Sequence, residues 1–164
     1  MSKALLSHLL DFRHHRFLNQ PDDAMEKPTV QMNKSLKVNS RDRGLLVRAP
    51  FMTGLGGEPL VKLLNAATIT SVPARHLVFR EGSPADHFYC VLSGYVRLYR
   101  LNREGREADI RVCGPGDTFA ECMIFGDHLY RFNAQTADAA TIARFETRTT
   151  RTLVRQEPDI ATAI

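Results

Sequence analysis

Between residues 77 and 134 the chain reads LVFREGSPADHFYCVLSGYVRLYRLNREGREADIRVCGPGDTFAECMIFGDHLYRFNA. Turn-forming clusters interrupt the apolar segments at short intervals: Glu81-Gly82-Ser83-Pro84, Ser93-Gly94, Asn102-Arg103-Glu104-Gly105 and Gly114-Pro115-Gly116-Asp117. Glycine and proline break helices and set the positive or fixed φ values that tight turns need. What remains between them is too short for the crossover helices of a parallel sheet. The spacing predicts short antiparallel strands, in a mainly β fold with flanking helices: an antiparallel β-roll of the jelly-roll kind.

Residues 88–92 are apolar on both faces, so this strand is expected to be buried on both sides, with Cys90 as a small core residue. Val96 and Leu98 alternate with Arg97 and Tyr99. Ile110 and Val112 share one face of the returning strand, and Asp109 and Arg111 share the other. Earlier, residues 57–64 predict a helix with Pro59 near its start. Residues 69–72 and 77–79 follow as strands, and 132–136 and 141–145 complete the roll. Residues 147–156 (TRTTRTLVRQ) make a poor helix by propensity because threonine is β-branched.

The amino-terminal part differs in character. Residues 4–18 carry apolar positions compatible with a short amphipathic helix, while residues 19–42 are polar and read as a disordered extension. Domains are therefore expected at 1–42, the extension, and 43–164, the folded unit. His8, His14 and His15 lack the i, i+4 spacing of a helical metal pair. Hydrophobic residues make up 43% of the 164, enough to bury a core, and the +4 formal charge is dispersed, which argues against a nucleic-acid patch. No apolar run approaches the ~18 residues of a membrane span. Three widely spaced cysteines, Cys90, Cys113 and Cys122, fit a reducing cytoplasm better than a disulfide framework.

After the last glycine turn comes Phe119-Ala120-Glu121-Cys122, with Arg131 ten residues beyond Glu121. A carboxylate and a guanidinium bracketing a short helical turn can hold a phosphorylated sugar: one accepts from a hydroxyl, the other neutralises the phosphate. These residues, with Phe79-Arg80-Glu81-Gly82, residues 88–94, Gly105, residues 114–121 and Glu157-Pro158-Asp159-Ile160, resemble the effector domain of the cyclic-nucleotide-binding superfamily, in particular CRP/FNR-type transcriptional regulators. The resemblance implies that Glu121 binds the ribose, that Arg131 binds the cyclic phosphate, and that Cys122 lies on the intervening short helix. It also makes residues 147–156 a helix, with Asp159 as N-cap of the next. That next helix forms the dimer interface in the family and precedes a helix-turn-helix domain. The chain stops at its start, so a truncated regulator that does not bind DNA directly is expected, with homodimerisation a property of the full-length family.

Two positions depart from the family's pattern. Ala120 stands where glycine is usual, and Phe132 follows the arginine where a small hydroxyl residue is usual. Residues 118–125 look closer to the nitrate-respiration regulator branch, some members of which are linked to haem and nitric oxide. The expected effector is therefore cAMP or cGMP. Haem is the alternative, with His87, His128, Cys113 and Cys122 as ligands by type, and a degenerate protein-interaction module is a third reading. An enzyme is not expected: the His-x-His metal pattern of cupins, a phosphate loop and a Cys-x-x-Cys pair are all missing from the sequence.

Overall fold

A computed structural model describes residues 39–126 and 128–163. The helix expected over residues 4–18 lies outside them. Eight strands form two four-stranded sheets in which every pairing is antiparallel. One sheet contains β1 (Ala67–Val72), β8 (Ala140–Glu146), β3 (His87–Ser93) and β6 (Thr118–Phe119), in that order. The other contains β2 (Leu77–Phe79), β7 (Asn133–Thr136), β4 (Val96–Leu101) and β5 (Glu107–Cys113). Helices α1 (Ser40–Arg48) and α2 (Gly57–Asn65) precede the roll, and α3 (Thr147–Gln156) and α4 (Pro158–Ala163) follow it.

Strand β3 is buried from Phe88 to Leu92, as its two apolar faces require. Its alternate side chains serve two separate layers. Phe88 stacks on Phe145 of β8 at 4.8 Å, and Phe51, from a 3-10 turn at Pro50–Met52, meets both rings edge-on. Tyr89 points the other way and stacks on Phe119 and Phe79, so the aromatic contacts cross from one sheet to the other. Cys90 has no exposed surface, and burial pushes its thiol up to about 12, consistent with a small core residue.

Each turn is closed by the residue type that prompted it. Asn102 accepts through Oδ1 from the amides of Glu104 and Arg106, and Gly105 takes φ +72°. At Gly94, also left-handed, an added Cβ would lie 2.5 Å from the carbonyl oxygen of Ala139. Asp138 accepts there from the amide of Tyr95 at 2.7 Å.

The structure corrects three expectations. Helix α1 starts at Ser40, inside the stretch read as disordered extension. Asn39 Oδ1 accepts from the Asp42 amide at 2.8 Å, and Leu46 anchors the helix in the core. The second correction is a register shift between Leu98 and Tyr99 that removes the simple alternation of β5 and leaves Ile110 53% exposed. On the facing strand Arg97 is buried: it bonds Asp109, bridges Glu107 at 2.6 Å and lies 4.5 Å over the Tyr99 ring. Finally, α4 begins at Pro158, a favoured first position, so Asp159 sits within the first turn instead of capping it.

Helix α3 forms despite its threonines because tertiary contacts override propensity. Thr147 donates through Oγ1 to the Ala85 carbonyl and through its amide to Asp86. At the other end Lys62 of α2 pairs with Glu157 at 2.6 Å. No helix among the described residues is long and apolar enough to cross a membrane.

Gly94→Ala combines a positive φ with a backbone clash and should destabilise the fold by about 2–4 kcal/mol in equilibrium urea denaturation. A change below about 0.5 kcal/mol would show that the turn relaxes freely.

Candidate functional site

The path into the site is set by a glycine turn and an aspartate. Asp117 accepts from the Gly114 amide through Oδ2 at 2.9 Å and from Arg111 through Oδ1 at 2.8 Å. Strand β6 then pairs with β3, which delivers Phe119 opposite Tyr89. Ala120 follows in the left-handed region, φ 65° and ψ 12°, with almost no exposure. Residues Glu121–Ile124 form a single 3-10 turn. Met123 and Ile124 are buried, which leaves Glu121 half-buried and Cys122 on the exposed side.

Arg131 arrives from the opposite sheet. The preceding Tyr130 is buried and stacks on Phe79 with ring centres 3.6 Å apart and planes 8° apart. Its hydroxyl donates to the His87 carbonyl at 2.7 Å and lies 3.4 Å from the Tyr89 hydroxyl. Burial raises both phenols above their ordinary value. After the arginine, Phe132 is half-buried with its ring 5.7 Å from Phe79. Asn133 then accepts from the Glu81 amide at 3.0 Å. Arg131 itself is exposed, and its carbonyl accepts from Arg100 Nε at 2.6 Å. Glu121 and Arg131 thus each sit one or two residues from a ring, Phe119 or Tyr130, that packs on Phe79.

The four groups considered as haem ligands are dispersed. His87 is on β3, half-buried, its pKa lowered by desolvation and then by Arg144. Cys113 ends β5, and burial pushes it up to about 12. Cys122 lies on the 3-10 turn and is raised by desolvation and by Glu121. His128 contacts Arg151 through Nδ1. Among the described residues no group of three or more His, Cys, Asp or Glu is placed to hold a metal ion.

Residues 69–157 match the family described as "Cyclic nucleotide-binding domain". The chain belongs to that family. It is 28% identical over 117 residues to the CRP-like cAMP-activated global transcriptional regulator of Mycobacterium tuberculosis, covering 71% of this chain and 52% of the relative, so it spans about half that protein's length. Among solved structures, the sensor domain of the transcriptional regulator DNR from Pseudomonas aeruginosa superposes with a TM-score of 0.67 at 31% identity, covering 74% of this chain and 81% of that one. The catabolite activator protein of Thermus thermophilus, at 24% identity and a TM-score of 0.64 over 70% of this chain and 54% of that one, shares the fold. The β-roll and the CRP/FNR-type kinship expected from the sequence are thereby established.

With the domain placed in its family, the glycine normally found at position 120 has a physical reason: the backbone there is left-handed, and alanine holds it at a cost. Sequence reasoning missed one residue that touches the site segment. Arg151 of α3 donates through Nε to the Ile124 carbonyl and through Nη2 to the Met123 carbonyl at 3.0 Å. An arginine inside a threonine-rich helix reads as a solvated charge, and nothing in the local pattern distinguishes it from Arg148 or Arg155.

Ala120→Gly trades left-handed strain against a buried methyl and should leave the domain between 0 and about 1 kcal/mol more stable in urea denaturation. A loss above about 0.5 kcal/mol would contradict the strain assignment. His87, with its lowered folded pKa, resists protonation in the fold, so the unfolded chain binds the extra proton. Stability should fall as pH drops through and below about 6.5, and His87→Gln should flatten that slope in thermal melts between pH 5 and 7.

Proposed function

We propose that this domain is the effector-sensing unit of a CRP/FNR-type regulator and that a cyclic nucleotide, cAMP or cGMP, occupies the site at Glu121 and Arg131. The observation that carries this reading is the placement of both residues beside one aromatic cluster, in a domain matched to the cyclic nucleotide-binding family. Glu121 accepts from the ribose 2′-hydroxyl. Arg131 compensates the phosphate with charge-assisted hydrogen bonds. Ala120 sets the direction in which the 3-10 turn leaves β6, Cys122 lies on that turn, and Phe132 supplies an apolar wall in place of a hydroxyl donor. A cAMP-bound relative, the regulatory domain of Toxoplasma gondii PKA, has the same fold at a TM-score of 0.64 and 22% identity. Haem gains no support from the family match.

On this reading the folded unit, which begins with α1, senses and does not catalyse. It binds a small molecule in the cytoplasm, and its output passes through α3 and α4 toward a homodimer partner. Ligand binding shifts that output only if the two arrangements differ in affinity for it.

Calorimetric titration of the full chain with cAMP and cGMP tests the proposal. Saturable binding is expected, weakened about 10- to 100-fold in Arg131→Ala, the loss of one charged hydrogen-bonding group. Retention of full affinity in that variant would remove the phosphate role of Arg131. No binding of either nucleotide to the wild type would refute the proposal and favour a degenerate interaction module.

A further inference from the structure

The segment that follows β6 begins and ends on residues that resist their own backbone conformation. Ala120 has φ 65° and His128 has φ 66°, both left-handed and neither glycine. Non-glycine residues in this region are strained, and they persist only when surrounding contacts hold them. Between them the 3-10 turn ends with carbonyls that lack a continuing helix to donate to them. Phe125, just beyond, is 62% exposed and contributes little burial.

One side chain answers the carbonyls of the turn and the His128 end. The guanidinium of Arg151 reaches back from the middle of α3 and makes three contacts: Nε to the Ile124 carbonyl, and Nη2 to the Met123 carbonyl and to His128 Nδ1. Two carbonyls of the turn and one flanking residue are thereby held by a single rigid fork. Helix α3 is itself fixed at both ends, by Thr147 on the loop before β3 and by the Glu157–Lys62 pair. The fork therefore joins the strained segment to a helix anchored at both ends rather than to a loose chain end.

We infer that Arg151 is the latch of this segment: a positioning residue that holds the 3-10 turn and His128 in place against the strain at Ala120 and His128, and links their position to α3. A lysine would keep the charge but lose the fork, and glutamine would lose both. If the proposed nucleotide site is correct, and this clause alone rests on that reading, ligand contact at Glu121 reaches α3 through the same guanidinium.

Hydrogen–deuterium exchange on the full chain tests the latch without any ligand. Arg151→Gln should speed exchange across residues 121–129 by about tenfold or more while β3 and β8 stay within about twofold of wild type, the mark of local rather than global opening. Adding Ala120→Gly to Arg151→Gln should recover at least about threefold of that protection, because a relaxed end needs less holding. His128→Ala removes one contact from an exposed position and should give a smaller increase in the same peptides, which keeps the test open should Arg151→Gln fail to fold. Unchanged exchange in 121–129, or a uniform rise throughout the roll, would overturn the latch. Cyclic AMP supplies the second arm: in wild type it should alter exchange at 147–156, and in Arg151→Gln it should not. Ligand-induced change at 147–156 that survives the substitution would overturn the linkage. Failure of the wild type to bind cAMP would fall on the nucleotide reading, leaving the latch to be judged by the ligand-free arm.

Discussion

The Phe79 ring is the point on which the two sheets and the candidate site all depend. It comes from β2 in one sheet, stacks on Tyr130 before β7, and contacts Tyr89 and Phe119 of the other sheet. Such pairs contribute about 0.5–1.5 kcal/mol each beyond simple burial, but their geometry matters more here than their energy. Phe119 lies two residues before the 3-10 turn, and Tyr130 precedes Arg131 directly. Fixing the two rings fixes where the backbone leaves each sheet. The rings also fill the space between the sheets beside the site, and Phe132 extends them toward it.

A second, polar layer connects this cluster to the helices. The Tyr130 hydroxyl is bonded to the backbone of His87, and the Asp86 carbonyl just before it accepts from the amide of Thr147 at the head of α3. Hydrogen bonds from buried hydroxyls and amides are directional, so they orient elements that apolar packing would only hold together. The same logic explains two arginines that composition alone makes look like surface charge. Arg97 is covered and answered by Glu107 and Asp109, and Arg151 is half-buried and answered by backbone carbonyls. Both illustrate how a mildly basic chain can place guanidinium groups as structural connectors.

The β-roll was legible because its punctuation is local. Gly94, Asn102, Gly105, Gly116 and Asp117 each fix a turn through their own backbone or side chain, so the strands between them follow from the sequence. Strand β3 was legible as doubly buried for the same reason, since two apolar faces need two layers. Features set by partners distant in sequence were not legible from the local pattern. The bulge that exposes Ile110 arises from register against β4, the burial of Arg97 from carboxylates across the hairpin, and the stability of α3 from contacts with the loop before β3. At the site, Glu121 and Arg131 stood out as a charge pair around a short turn, whereas Arg151 contacts carbonyls, which carry no residue identity for a sequence pattern to register.

The two departures from the family's pattern are not equivalent in physical terms. At position 120 the backbone already adopts the conformation a glycine would take, because Phe119 is drawn into the aromatic cluster and Met123 and Ile124 into the core on either side. Alanine there changes the energy of the turn and leaves its path intact, so Glu121 stays where the turn puts it. At position 132 the path is also preserved, since β7 starts in register at Asn133, but the chemistry is not: a ring packed on Phe79 replaces a donor. A phosphate at this site would have to be neutralised chiefly by Arg131, an exposed guanidinium whose attraction is weakened by water and salt. Recognition would then shift toward the ribose and the base, where Glu121 and the aromatic wall act. On the proposed reading, discrimination among ligands would be governed by Phe132 more than by Ala120.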